Sequence, residues 1–314
     1  MAETLRIATF NTELSRKGPG LLLRDLRKST ADIAHVLSRM SAVDADIWVL
    51  QDIDYDHERL ALGALAEAAG LPFVFAAQPN TGLRSGADLD GDGRIGGARD
   101  AHGYGWFSGQ GGIALLSRFP LSLRQDLSAL IWSDVPWATL PERDGEPFLD
   151  PDARAVMRLS STAHWRIDVA LPGGTLTLLT AYPTPPVFDG PEDRNGLRNA
   201  DEIALLREMM REAEKNFVVI GDLNLDPERG AGRRDAIRAL LSDSALAPDR
   251  LAGRATVDFG AQSAGRLRVS YALASRDLKV IEAGIAWQDP PFDAKIRYTR
   301  HHPVWIDIDL GKLR

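Results

Sequence analysis

Short apolar runs bounded by turn residues recur along the whole chain, and no other feature limits its fold as much. Residues 5–10, 47–50, 73–75, 113–116, 167–171, 176–180, 217–220 and 304–308 are rich in Val, Ile, Leu or aromatic side chains. Runs of that length read as strands and are too short for helices of ordinary length. Helical patterns lie between them. Leu26, Ile33, Val36, Leu37 and Met40 recur at three- and four-residue steps and paint one apolar stripe. Ile203, Leu206, Met210 and Ala213 do the same behind Asn199 and Glu202, which are spaced as a capping box with Asn at the cap. A third helix is expected over Arg234–Leu241. Several strands follow one another without an intervening helix. The mixture therefore favours helices on the outer faces of two packed sheets over a singly wound parallel sheet.

The 314 residues contain no low-complexity linker and no fixed-period repeat, so one domain spanning 1–314 is expected. Lysines and arginines number 37 against 44 acidic residues, a formal net charge of −7. That balance argues against a surface built overall to neutralise nucleic acid, and leaves a local basic groove open. With no cysteine there is neither a disulfide nor a thiolate metal site. No apolar run approaches the roughly 20 residues that cross a bilayer, and a monomer is expected. If Met1 is the native start, a cytoplasmic protein follows; a processed chain implies export.

The strongest local signal is the run from Asn216 to Pro227, in which an apolar strand ends at Gly221-Asp222-Leu223-Asn224. Residues two apart in extended chain share a side, which would send Asp222 and Asn224 into one site at the strand end. A carboxylate there takes a proton from water, and an amide holds a phosphoryl oxygen or the attacking water. Read blandly, Gly-Asp-x-Asn is a turn. The first strand ends in Asn11-Thr12-Glu13, and the second runs into Gln51-Asp52. Oxygen donors of this kind suit a hard cation such as Mg²⁺ or Mn²⁺. His301 and His302 stand just before the last strand. Two long polar loops, residues 82–112 with eleven glycines and residues 183–199, are placed to rim the same end of the sheets.

Taken together, Thr-Phe-Asn11, Leu-Gln-Asp52, Gly-Asp222-Leu-Asn224 and the terminal His302 resemble the endonuclease/exonuclease/phosphatase superfamily in order and spacing over nearly the whole chain. The strings over residues 180–196 and 158–165 are similar to a bacterial subgroup of it whose members are often exported. The resemblance implies a four-layer α/β/β/α sandwich, two packed mixed sheets flanked by helices, and divalent-metal-assisted hydrolysis of a phosphomonoester or phosphodiester. It implies metal at Asp52 with Asn11 and Glu13 nearby, Asp222 as the base that activates water and Asn224 orienting that water. His302 and Tyr182 would contact the phosphoryl oxygens. A small phosphorylated substrate is the favoured partner, and a nuclease is the alternative within the enzyme class. A member that binds a phosphorylated ligand without turnover is the alternative outside it.

Several positions depart from the family pattern. Asp52 stands for Glu, and Tyr182 for the His of many members. Ser270 replaces the carboxylate expected to orient the catalytic His, and the Asp-His dyad becomes His301-His302. His301 as a nitrogen ligand would tilt the metal preference towards Mn²⁺, Zn²⁺ or Fe²⁺. Asp88, Asp90 and Asp92 have calcium-loop spacing, with Gly93 at the turn. The twelfth position is Arg99, with Asp100 beside it as a substitute, so the loop is either a structural Ca²⁺ site or an acidic solvated loop. His164 either faces substrate or packs. Arg194 and Asn195 either contact phosphate or belong to a solvated loop.

Overall fold

A computed structural model describes residues 4–213, 215–289, 296 and 298–312. Met1, Ala2 and Glu3, on which the reading of the chain start rests, lie outside them. The first half comprises β1 (Thr4–Asn11), α1 (Leu21–Arg27), α2 (Ala31–Val43), β2 (Ile47–Ile53), α3 (Leu60–Ala69), β3 (Phe73–Phe75) and β4 (Gly112–Ser117). Then come β5 (Leu121–Asp126), a small hairpin of β6 (Glu142–Arg143) and β7 (Glu146–Pro147), and α4 (Pro151–Val156). They are followed by β8 (His164–Leu171), β9 (Gly174–Ala181), α5 (Arg194–Ala213), β10 (Phe217–Asp222) and α6 (Arg234–Leu241). The chain closes with β11 (Val257–Asp258), β12 (Arg266–Leu267), β13 (Ser270–Ala274), β14 (Val280–Ile285) and β15 (Val304–Asp309).

Two mixed sheets result, ordered β14-β15-β1-β2-β4-β3 and β13-β10-β9-β8-β5. Each has one parallel pair, β1 with β2 and β9 with β10. A parallel pair needs a crossover, which α1 and α2 supply in the first sheet and α5 in the second. Both strands of such a pair end at the same edge, and this fixes where their terminal side chains meet.

Side-chain alternation builds the layers. Leu5 and Ile7 of β1, Val49 of β2, and Val218 and Ile220 of β10 face the other sheet in one shared core with Trp165 and Leu178. The intervening Ala8, Phe10, Trp48 and Leu50 turn outwards onto Ile33, Val36, Met40 and Leu65 of the first helical layer. Phe217 and Val219 turn outwards onto Ile203, Leu206 and Met210 of α5. The chain is therefore the expected four-layer α/β/β/α sandwich. Strands buried on both faces carry apolar residues at every position, which is why they appear in sequence as continuous runs.

Two expectations about helices are corrected. Leu26 lies on α1, separated from the Ile33–Met40 stripe of α2 by a break at residues 28–30. The helix expected to start behind Asn199 begins at Arg194, and its first turn closes with Leu197 N–H donating to Asp193 O. Asn199 and Glu202 are thus interior and buried, and their polar groups serve tertiary partners instead of the helix end.

Candidate active site

The shared edge of the two parallel pairs gathers four side chains from four strand ends. Asn11 ends β1, Asp52 lies near the end of β2, Tyr182 follows β9, and Asp222 ends β10. Asn11 links them: its amide Nδ2 donates to Asp222 Oδ2 at 2.8 Å and to the Tyr182 hydroxyl at 3.2 Å. Tyr182 accepts that bond, so its own O–H remains able to donate. Burial, then the charges of Asp52 and Asp222, push the Tyr182 phenol well above its ordinary range, which keeps it a proton-bearing donor. Asp222 is fully buried, and its Oδ2 lies 3.4 Å from His301 Nδ1.

The Gly-Asp-x-Asn segment forms a turn, and Asp222 and Asn224 do not project together as expected. Asn224 adopts a left-handed conformation, φ 55°, and its N–H donates to Asp222 Oδ1 at 3.0 Å. Its side chain therefore does not follow the extended alternation. Nδ2 donates to Pro183 O at 2.8 Å and ties the loop after Tyr182 to the end of β10. Glu13 and Asp52 also have positive φ, 48° and 55°. Backbone held in such regions collects where the surrounding structure over-determines a functional arrangement.

Of the two histidines expected at the site, His301 is placed beside Asp222 and His302 is not. Neighbours in near-extended chain face opposite sides, so only one of the pair can meet Asp222, and it is His301. His302 stacks on Trp287 with 3.8 Å between ring centroids, and its Nδ1 is 3.5 Å from Arg39 Nη2. Burial, with the charge of Arg39, lowers the His302 pKa to about 4. Its place behind the site makes it a packed neutral ring. Arg300, absent from the sequence reading, pairs with Glu13: its Nε donates to Glu13 Oε1 at 2.9 Å and its backbone N–H to Oε2 at 3.1 Å. Burial opposes the Glu13 charge, yet the Arg300 hydrogen bonds and the charges of His301 and Arg300 hold it below the usual carboxylate range.

The donor set fits a hard divalent cation. Asp52 and Asn11 bring oxygen, and Gly111 keeps the space beside Asp52 open, because a Cβ at Gly111 would stand 2.8 Å from Asp52 Oδ1. Among the described residues no three carboxylate or imidazole donors of this site lie within 4.8 Å of one another. Asp54, also missed in sequence, fastens this corner: its carboxylate accepts from Gly111 N–H at 3.1 Å and Arg16 N–H at 2.9 Å. Burial pushes the Asp54 carboxyl up to about 6. The alternation Asp52-x-Asp54 was the available signal.

A cleft of about 600 Å³ opens from Asp52, Gly111 and Tyr182, and Phe188, Arg194 and Asn195 also line it. Asn195 turns its Nδ2 to Val187 O at 2.7 Å. His164 is fully buried and does not line the cleft. Its Nε2 meets the Glu202 carbonyl at 3.0 Å, which can only accept, so Nδ1 is left to accept from Ser160 Oγ at 2.6 Å. Of its two readings, packing is the one observed.

Glu202 and Asn199 form a frame beneath the site. Glu202 accepts from Ser161 N–H at 2.6 Å, Ser161 Oγ at 2.8 Å and Thr184 N–H at 2.8 Å. Asn199 Nδ2 donates to Thr184 O at 2.8 Å and Leu223 O at 3.0 Å. Together they hold the chain just after Tyr182, at Thr184, and just after Asp222, at Leu223. The acidic loop brings Asp88, Asp90 and Asp100 within 4.8 Å of one another. Asp92 stands apart from that trio, its Oδ1 accepting from Arg94 N–H at 2.8 Å.

Oxygen donors and a buried carboxylate at the paired strand ends of an α/β/β/α sandwich define a metal-dependent phosphoester hydrolase. Residues 8–292 match the Endonuclease/Exonuclease/phosphatase family, and the chain belongs to it. No curated protein matches it in sequence. Among solved structures it is similar to an endonuclease/exonuclease/phosphatase from Beutenbergia cavernae, with TM-score 0.60 and 16% identity over 98% of this chain and 71% of that one. It is similar to sphingomyelinase C from Streptomyces griseocarneus, with TM-score 0.54 and 15% identity over 97% and 99%. It also resembles D. rerio TDP2 complexed with single strand DNA product, with TM-score 0.53 and 14% identity over 98% and 99%. At these identities the likeness is one of fold.

Proposed function

We propose that the chain hydrolyses a small phosphoester with Mg²⁺ or Mn²⁺ held at Asp52 and Asn11. The observation that carries this reading is the hydrogen-bonded set Asn11, Tyr182 and Asp222, buried except where Tyr182, with Asp52, lines the cleft. A bound metal would polarise a phosphoryl oxygen and offset developing charge. Asp222 takes the proton of the attacking water, and Asn11 fixes the carboxylate that does so. Tyr182 and His301 contact the phosphoryl oxygens as charge builds. Asn224 positions the loop that carries Tyr182. No helix among the described residues is long and apolar enough to cross a membrane. The size of the cleft, about 600 Å³, and the acidic balance favour a small substrate, taken by a monomer, over a nucleic acid.

The test is hydrolysis of a chromogenic phosphomonoester and phosphodiester by metal-stripped protein, with Mg²⁺, Mn²⁺, Ca²⁺ and Zn²⁺ restored singly. Metal-dependent turnover that is lost in Asp222→Asn supports the assignment. Near-normal turnover in that variant reassigns the base. His301→Ala is expected to lower the rate more than His302→Ala, and a metal preference unchanged in His301→Ala removes it as a nitrogen ligand. No turnover with any metal from folded protein favours a phosphate-binding member without catalysis. The Glu13–Arg300 pair and Ser270, whose buried hydroxyl has no hydrogen-bond partner, support that second reading.

We also propose that Asp88, Asp90 and Asp100 hold a structural Ca²⁺. Asp90 Oδ1 is buried without a hydrogen-bond partner, and burial, then the charges of Asp92 and Asp100, raises its carboxyl pKa. A cation relieves both penalties. Calorimetry showing no Ca²⁺ uptake at millimolar concentration would remove the site.

A further inference from the structure

The active-site cleft holds a second cluster of charge that the hydrolytic groups do not use. Arg194, at the start of α5, lines the cleft, is only 8% exposed, and has no carboxylate within ion-pair distance among the described residues. One Nη donates to Leu89 O, while its Nε is buried with no hydrogen-bond partner. Arg99 lines the same cleft from the glycine-rich loop; it is exposed and has neither an ion pair nor a hydrogen bond among the described residues. Its charge lies close enough to act unfavourably on Arg194. The charges of Asp90, Glu192 and Asp189 offset that of Arg99, but none of them pairs with Arg194, so its donors stay free for an anion that enters the cleft. Burying the Arg194 cation is unfavourable too, and burial pulls its pKa down.

These cations are distinct from the hydrolytic cluster. The charges acting most on Arg194 are Asp90, Glu192, Asp189 and Arg99, whereas those acting on Tyr182 are Asp52, Asp222 and Glu13. Aromatic surface accompanies them. Tyr104 and Phe188 line the cleft with exposed rings, and Phe188 is held at φ 71°. A bulky residue with positive φ is a backbone outlier of the kind found at ligand clamps. A volume of about 600 Å³ is that of a small-molecule site.

From this arrangement we infer that the substrate is a small phosphoester carrying a second anionic group, phosphate or carboxylate, bound by Arg99 and Arg194, with an apolar or ring portion against Tyr104 and Phe188. The inference rests on the hydrolytic reading for the placement of the first phosphoryl group at Asp52 and Tyr182. Arg194 recognises the second anion through its unused donors, and Arg99 brings a second guanidinium to it from the glycine-rich loop.

Calorimetric binding to the Asp222→Asn protein in Mg²⁺ tests this without turnover. The probes are hexyl phosphate, hexane-1,6-diol bisphosphate and 6-phosphonooxyhexanoate. One or both doubly anionic probes should bind about tenfold or more tightly than hexyl phosphate, and which of them does so identifies the second anion. Arg99→Gln leaves no buried group unpaired, so it should fold. It should bring that affinity ratio towards one, and Arg194→Lys should also lower it. Equal affinities for all three probes, or a preference unchanged in Arg99→Gln, overturn the inference. Chromogenic turnover by the native protein, measured separately, distinguishes the two failures. Turnover with no second-anion preference sinks only this inference, whereas a preference with no turnover sinks only the hydrolytic reading.

Discussion

Two acidic regions of this chain are built in opposite ways. The site around Asp222 draws Asn11, Asp52, Tyr182 and Asp222 from four strand ends spread over more than half of the sequence, and rigid strands hold it. The loop cluster draws Asp88, Asp90 and Asp100 from one irregular segment, and its oxygens approach within 4.8 Å of one another. In the first, hydrogen bonds from Asn11 and Asn224 settle the Asp222 carboxylate without an ion. In the second, Leu89 N–H and Gly97 N–H settle Asp100, at 3.0 and 2.7 Å, while Asp90 Oδ1 stays unpartnered. The strand-end site is thus preorganised by the fold, whereas the loop leaves one buried carboxylate oxygen, Asp90 Oδ1, without a partner.

The sharpest way to break this comparison is Asp222→Asn. If the fold preorganises the site, turnover should fall about 10³-fold, a barrier change of about 4 kcal/mol, while urea midpoints stay near those of the native protein. A comparable loss of stability would mean that the carboxylate is structural.

The frame beneath the site supplies the next effect. Burial pushes the Glu202 carboxyl from 4.5 up to about 7, against the pull of Arg198, Ser161 and Thr184. Because the folded state then holds the proton more tightly than the unfolded chain, this group favours folding most at or below pH 4.5. Its contribution is lost as pH rises through 7. The change is on the order of 3 kcal/mol. Glu202→Gln should flatten the slope of unfolding free energy against pH over that window, and an unchanged slope would remove Glu202 as its source.

Gly111→Ala sharpens the preorganisation claim. At φ 62°, with a Cβ 2.8 Å from Asp52 Oδ1, an alanine must displace the carboxylate or the loop. A displacement of about 1 Å should lower turnover about 10²-fold, with metal affinity falling alongside. Wild-type kinetics would show that the space beside Asp52 is not needed.

The smallest effect falls on the loop. Ca²⁺ at about ten times its Kd should stabilise by ~1.4 kcal/mol and raise Tm by about 2 °C. Asp90→Asn should abolish that rise and leave turnover unaffected. A Tm indifferent to Ca²⁺ would make the two acidic regions alike in needing no ion.

Much of this was legible in sequence. The strand runs, the Arg234–Leu241 helix and the carboxylate after Gly221 all appear there, because burial on both faces and the turn at a strand end leave local chemical marks. Both histidines were expected at the site, and only His301 is found beside Asp222. Extended chain states that His301 and His302 face opposite sides, but only the packing of β11 and of Trp287 against this segment decides which of them meets Asp222. Asn199 and Glu202 matched a helix cap by spacing, yet α5 begins earlier. Their side chains bond to Thr184, Leu223 and Ser161, residues brought near only by the sandwich. Arg300 gave no signal at all, because its partner Glu13 lies at the far end of the chain.

The sequence by itself determined the layers, the strand ends and the kinds of oxygen donor placed at them, since hydrophobic periodicity and turn chemistry act over a few residues. Tertiary structure alone decided which donors converge, which histidine joins them and which cations line the cleft. Those relations depend on strand register and on how the two sheets face each other, and both are set by contacts between residues hundreds of positions apart.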